Sequence, residues 1–291
     1  MTDSAVKPIG NPWLLASPAI LWLLVFGLAP LVFLVAMSFW KSTIFGTHPD
    51  FQFGNYARQL NEPLYAQLLL KSLRIAAIST FLTLLVSYPI AYFLARLRGA
   101  WQGAFLVALF MPFWTSYVVR TFVWLPILGR TGAINAALIS LGVIDTPIDW
   151  LIYNEGTVYL GLVYVYTLFM VLPIYLSIDR IDPRLVEAAV DLGARPWSVF
   201  WRILLPLSWP GVLSGCIMVF LLGAGAYVTP RLLGGPSGIM YGNMIADQFL
   251  NNNNWAFGAA LGCTLALVVA LLLAVTGRWI GMRQVFTGGR F

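Results

Sequence analysis

The chain has 291 residues, of which 60% are hydrophobic and only 10% charged, with a formal net charge of +6. Soluble domains average about 25% charged residues, so this composition cannot cover a water-facing surface and indicates an all-α integral membrane protein. No nucleic-acid partner is needed to explain the positive balance, because a Lys/Arg bias on one side of a bilayer accounts for it.

A spanning helix takes roughly 20 mainly apolar residues. Six runs qualify, near 13–38, 72–95, 103–127, 156–178, 208–230 and 255–277. They are continuous rather than alternating, which excludes barrel strands. The organisation is therefore a tail over 1–12, a six-helix domain over 13–277 with a charged loop at 179–207, and a tail over 278–291. The first run is longer than a signal-peptide core and lacks a clean A-x-A site after it, so it reads as an uncleaved helix. With both tails cytoplasmic, the inside segments hold Lys7, Arg96, Arg98, Arg180, Arg184, Arg195, Arg202, Arg278, Arg283 and Arg290. The outside segments hold Lys41, Arg58, Lys71, Arg74, Arg130 and Arg231. That bias favours a multi-pass protein with both termini on the cytoplasmic side.

His48, the single histidine, falls in the first outside loop beside Pro49, and no H-E-x-x-H zinc site can form. Lys71 and Arg74 open the second run and can reach the interface. The third run carries Arg120 near its middle. A charge at that depth costs roughly 2.5–3.5 kcal/mol, so it should face protein or water. Tyr117 and Trp124 share its helical face at i−3 and i+4, and Trp114 lies nearby. Two readings stand for this group: a solute-pathway face, or an arginine stacked on Trp or Tyr to lock the helix. In the fourth run Tyr159 and Tyr175 suit the membrane interface, and Tyr166 is a central pathway candidate.

The loop at 179–207 is compact and charged. Asp182-Pro183 is a helix start, and Leu185, Ala188, Ala189 and Leu192 make one apolar face. Gly193 suits a left-handed stop. Pro196 starts a second helix whose Trp197, Phe200, Trp201 and Leu204 share a face, and Pro206 and Pro210 bracket entry into the fifth run. The elbow reads either as an interfacial loop or as a docking surface for a cytoplasmic protein. Beyond it, Gly211-x-x-x-Gly215 and Gly258-x-x-x-Gly262 are small-residue ridges for close helix packing, in a tight bundle core or a subunit interface. Tyr227 and Thr229 are pathway candidates at the outer end of the fifth run. The outside segment after Thr229 holds a Gly-Pro turn and a short helix over 240–250, which reads either as a simple interfacial turn or as a contact for a protein on that side. Cys216 and Cys263 lie inside runs and read as small apolar residues.

No acid falls within a run, which argues against a proton-driven carrier. No lysine follows glycine, so the phosphate-cradling loop is absent, and no G-x-S-x-G elbow appears. The chain is not expected to be an enzyme or to bind a metal or cofactor. Energy should enter through another subunit. The rival from another class is a stand-alone channel or carrier.

Glu187-Ala188-Ala189, three residues, Gly193, nine residues, then Ile203-x-Leu205-Pro206 resembles the EAA loop of membrane subunits of binding-protein-dependent ABC importers. "MPFWTSYVVRTFVW" and "TPRLLGGPSGIMYGNMIADQF" resemble the spermidine/putrescine branch, best its first permease subunit. That branch also takes opines and phosphonates. The resemblance implies a type I ABC importer permease fold with six transmembrane helices and a cytoplasmic coupling helix. It implies that Glu187, Ala188, Ala189 and Gly193, with Asp191 and Arg195 in the same elbow, couple to ATPase subunits. The implied partners are a second homologous permease subunit, two ABC ATPase subunits that bind the ATP and Mg, and a periplasmic solute-binding protein. Aromatics without membrane acids, beside Arg120, leave an anionic or zwitterionic solute open against a polyamine.

Overall fold

The structure, a computed structural model, describes residues 12–43 and 46–280. The two tails, with Lys7, Arg283 and Arg290, lie almost wholly outside the described residues. The first run is helical as α1 (Pro12–Trp22), a π-helical stretch Leu23–Leu28 and α2 (Ala29–Ser38). A hairpin of β1 (Lys41–Thr43) and β2 (Gly46–His48) follows, with Lys41 opposite His48. His48 is exposed, but on a strand rather than in a loop. Next come α3 (Gly54–Asn61), α4 (Pro63–Arg96), α5 (Ala100–Phe110), a 3-10 turn Met111–Trp114, α6 (Tyr117–Phe122), α7 (Trp124–Leu128) and α8 (Ala133–Ser140). The remainder is α9 (Glu155–Asp179), α10 (Pro183–Asp191), α11 (Pro196–Val199), a π-helical stretch Phe200–Leu204, α12 (Leu205–Ala224), α13 (Val228–Leu233), α14 (Tyr241–Leu250) and α15 (Trp255–Ile280).

Six helical stretches are long and apolar enough to cross a membrane, and they overlap the six expected runs. Three differ in shape. α4 begins at Pro63, so Lys71 and Arg74 sit within the helix rather than at its mouth. There Lys71 donates to the Ser237 carbonyl at 2.6 Å, and Arg74 pairs with Glu155 at 2.7 Å. The expected third helix over 103–127 is broken between α5 and α6. The fifth is helical from Pro196 onward, so the second elbow helix runs into the span instead of ending at Pro206. In both π-helical stretches a proline follows closely: Pro30 after Leu23–Leu28, and Pro206 after Phe200–Leu204. A proline ring lacks an N–H and crowds the carbonyl four residues back. The widened turn absorbs that conflict without ending the helix.

The core is a three-helix cluster of α4, α9 and α12. Ile75, Ala91, Val158, Leu162, Met170, Val171, Ile174, Val212 and Val219 are buried in it. Without water, polar groups must find partners in the bundle. The Tyr88 and Ser208 hydroxyls meet at 2.9 Å, and Tyr166 donates to the Leu222 carbonyl at 3.1 Å. Tyr175, expected at the interface, is instead buried and accepts from Gln102 at 3.0 Å.

Of the two glycine ridges, the first builds this core. A Cβ on Gly211 would strike the Pro173 carbonyl and lie 2.6 Å from Ser177 Oγ; one on Gly215 would lie 2.7 Å from Met170 Sδ. The second is half used: Gly258 faces the Phe249 ring of α14, while Gly262 has open space. α15 packs on α2 and α14 and only slightly on α12, so the two ridges do not share one core.

Gly211→Val should therefore lower stability by about 1–3 kcal/mol through overpacking, read as a drop in the thermal unfolding midpoint of detergent-solubilised protein. Gly262→Val should leave that midpoint near the parent value.

Candidate functional site

Two regions carry the residues singled out by the sequence. The first is the elbow joining α9 to α12. Asp182 caps α10, its carboxylate accepting from the Arg184 N–H at 2.9 Å, with Pro183 in the first helical position. The helix closes on Gly193 at φ +80°. The Gly193 N–H donates to the Val190 carbonyl at 2.8 Å, and the Ala194 N–H to the Ala189 carbonyl at 3.0 Å. That pair of bonds is a Schellman closure, which needs a left-handed residue at Gly193. Arg195 is extended ahead of Pro196, as a residue before proline prefers.

No residue of α10 is buried. The expected apolar face is split. Val186 lines a cavity of about 210 Å³ with Ala95–Arg98, Gln102 and Ile178, and Ala189 is half-buried. Leu185, Glu187, Ala188, Asp191 and Leu192 point outward, Leu192 at 89% exposure, with Trp197 at 71%. A solvent-facing patch of Leu, Val and Trp beside charges is an unfinished interface. The described ion pairs, Arg58–Glu62, Arg74–Glu155, Arg130–Asp149 and Arg231–Asp247, all lie at the opposite end of the bundle. The elbow end thus keeps Arg96, Arg98, Arg180, Arg184, Arg195 and Arg202 outside any described ion pair.

The second region surrounds the break in the third span. Thr115 and Ser116 are extended (ψ 151° and 142°). Non-helical backbone at membrane depth is tolerated only inside protein or along a water-filled cavity. The Arg120 guanidinium stands 4.2 Å from the centroid of Phe113, and its Nε is buried without a partner. Phe113 meets Phe169 edge-on at 5.3 Å. The stacking partner is thus Phe113, not a Trp or Tyr.

The pathway candidates divide. Tyr117, Tyr166 and Thr229 gather in a joint between α6, α9 and α13. The Tyr117 hydroxyl meets Thr229 Oγ1 at 2.8 Å, Thr121 adds a hydroxyl at 3.5 Å, and Tyr117 packs on the core cluster containing Tyr166. Thr229 is fully buried and Tyr166 nearly so. Gly161 lets α13 approach, since a Cβ there would lie 2.6 Å from the Thr229 methyl. Trp124 packs edge-on against Tyr164 at 5.6 Å. Only Trp114, at 80% exposure, and Tyr227, at 46%, stand largely open. Sequence reasoning missed Phe113, Thr121 and Gly161. Thr121 had a signal, lying at i+4 from Tyr117; Phe113 joins Arg120 only because the helix breaks between them.

Removing one hydroxyl of the joint, by Tyr117→Phe or Thr229→Val, should lower stability by about 1 kcal/mol. The double variant should lose little more than either single one, measured as a thermal double-mutant cycle.

Comparison with known proteins bears on both regions. Residues 64–280 match the family described as the binding-protein-dependent transport system inner membrane component. The spermidine/putrescine transport system permease protein PotB of Salmonella typhimurium is 40% identical over 88% of this chain and 89% of its own length. The Haemophilus influenzae protein of that name is 36% identical over 93% and 95%. The crystal structure of a bacterial ABC transporter involved in alginate import aligns with TM-score 0.72, at 18% identity, covering 93% of this chain and 96% of that one, which shows the shared fold.

Proposed function

The chain belongs to the family of inner membrane components of binding-protein-dependent transport systems, and we propose that it is the permease subunit of a spermidine/putrescine importer driven by separate ATPases. The observation that carries the substrate is the 40% identity to PotB along nearly the whole length. In this reading a second permease subunit completes the pathway and a periplasmic binding protein delivers the solute. ATP and Mg bind only the ATPase subunits, and this chain holds no cofactor.

The elbow is the link to the ATPases. Its end of the bundle keeps its arginines out of described ion pairs, which supports a cytoplasmic side for the elbow, with both tails on that side in this reading. Glu187, Ala188, Asp191 and Leu192 enter the ATPase cleft, and Arg195 flanks it. Ala188 permits close approach, and Gly193 fixes the bend. ATP-driven closure of the ATPases moves α10, and that motion reaches α9 and α12 directly. The broken third span borders the pathway. Its exposed Trp114 and Tyr227 offer π faces to ammonium groups, while the carboxylates come from the other subunits. Arg120, a half-buried cation outside any described ion pair, favours one second reading, a solute bearing a carboxylate or phosphonate.

Reconstituted complex with its binding protein separates the two: spermidine or putrescine should stimulate ATP hydrolysis, and opines, amino acids or phosphonates should not. Stimulation by anionic solutes alone, lost in Arg120→Leu, would establish the second reading. Solute flux through this chain without ATPase subunits would overturn both. Gly193→Val forces a β-branched residue into left-handed backbone at about 1–2 kcal/mol. It should leave membrane insertion intact and uncouple hydrolysis from uptake, whereas Gly193→Asn, which tolerates that conformation, should keep most coupling.

A further inference from the structure

At the end of the bundle opposite the elbow, a groove of about 460 Å³ opens between α2, α3, α4 and α15. That volume lies within the roughly 300–1,000 Å³ of small-molecule sites. Its walls include Val35, Leu60, Tyr65, Ala66, Leu69 and Leu267, and they are almost wholly apolar. Val35, Leu60 and Leu267 are themselves exposed, so the groove opens onto the outer surface of the chain. Apart from the Tyr56, Tyr241 and Thr264 hydroxyls, one polar side chain breaks the pattern. Gln59 lines the groove at 7% exposure, and its Oε1 accepts from Thr264 at 2.8 Å and Tyr241 at 3.3 Å. Its Nε2 is buried and has no partner. An unmet amide donor in hydrocarbon is costly, and an apolar groove offers water too few partners to meet it.

The rim supplies the other half of an amphiphile's signature. Arg58 and Glu62, either side of groove-lining Gln59 and Leu60 in sequence, pair at 3.0 Å with side chains about half exposed. Both signs of charge are therefore presented together at the groove's mouth. A purely anionic head group would meet Glu62, whereas a phosphate–ammonium head finds a partner for each charge.

We propose that this groove seats one acyl chain of a zwitterionic phospholipid, with the Gln59 amide donating to its ester carbonyl and the Arg58–Glu62 pair under its head group. The occupant is a resident lipid of the leaflet opposite the elbow, and the site is independent of the solute carried.

The test uses the full-length chain, stripped of lipid in detergent and titrated with palmitoyl-oleoyl phosphatidylethanolamine, with bound lipid counted by native mass spectrometry. One lipid per chain should survive washing. Gln59→Leu should weaken retention about two- to tenfold, the worth of one hydrogen bond. Ala66→Trp, at an exposed wall position, should abolish it. Equal retention of phosphatidylglycerol, or tighter binding of free palmitate, would overturn the assignment. The unmutated protein gives an independent readout. Cys263 lines the groove and Cys216 packs against the central cluster, so phosphatidylethanolamine should slow maleimide alkylation of Cys263 and leave Cys216 unchanged. An unaltered Cys263 rate, or a Cys263 already inert without lipid because the chain itself fills the groove, would also overturn it.

Discussion

α12 can lie on α9 only because positions 211 and 215 carry no side chain. The Pro173 carbonyl, Ser177 and Met170 occupy the space a Cβ would need. In a bilayer no hydrophobic force drives helices together, so such backbone proximity is a main source of cohesion. The consequence reaches the elbow. α10 is joined at one end to α9 by the three-residue link 180–182, and at the other to the helix that becomes α12. A displacement of the elbow therefore acts on two of the three helices of the core. On the proposed reading, this is how a soluble engine moves a membrane pathway.

The same solvent constraint makes irregular backbone informative. The π-helical stretches before Pro30 and Pro206 keep the chain helical where a proline would interrupt it. The break at Thr115–Ser116 has no such repair, and it sits beside Arg120, Trp114 and a hydroxyl joint reaching to α13. Lipid cannot satisfy such a segment. Protein or water must cover it, and on the proposed reading a second permease subunit and the pathway between the two supply both.

Much of this was legible in the sequence. Hydropathy located five of the spans, while the third qualifying stretch is Tyr117–Ser140, shifted from the expected 103–127. The elbow's cap, stop and restart were readable because Asp-Pro, Gly and Pro act through local backbone chemistry that tertiary context did not override. The broken third span was not readable. Thr115 and Ser116 scarcely change the hydropathy of their window, and Pro112 is compatible with continuation. The seat of Gly211 and Gly215 was readable as a ridge, but not its partner, because spacing says nothing about which helix lies opposite. Burial of Tyr166, Tyr175 and Thr229 was likewise hidden: tyrosine and threonine serve equally at an interface, a pathway or an internal joint, and only the facing hydroxyls and carbonyls distinguish them.

The account rests on α10 being a lever at the cytoplasmic surface held by another protein. Cysteine at position 188, in a complex carrying all subunits, tests this most directly. A short bifunctional cross-linker should join it to the ATPase subunit, with a yield that changes on ATP binding, and a membrane-impermeant thiol reagent applied from outside should not reach it. Labelling from the periplasmic side, or an absence of cross-links in a complex that hydrolyses ATP, would contradict the account.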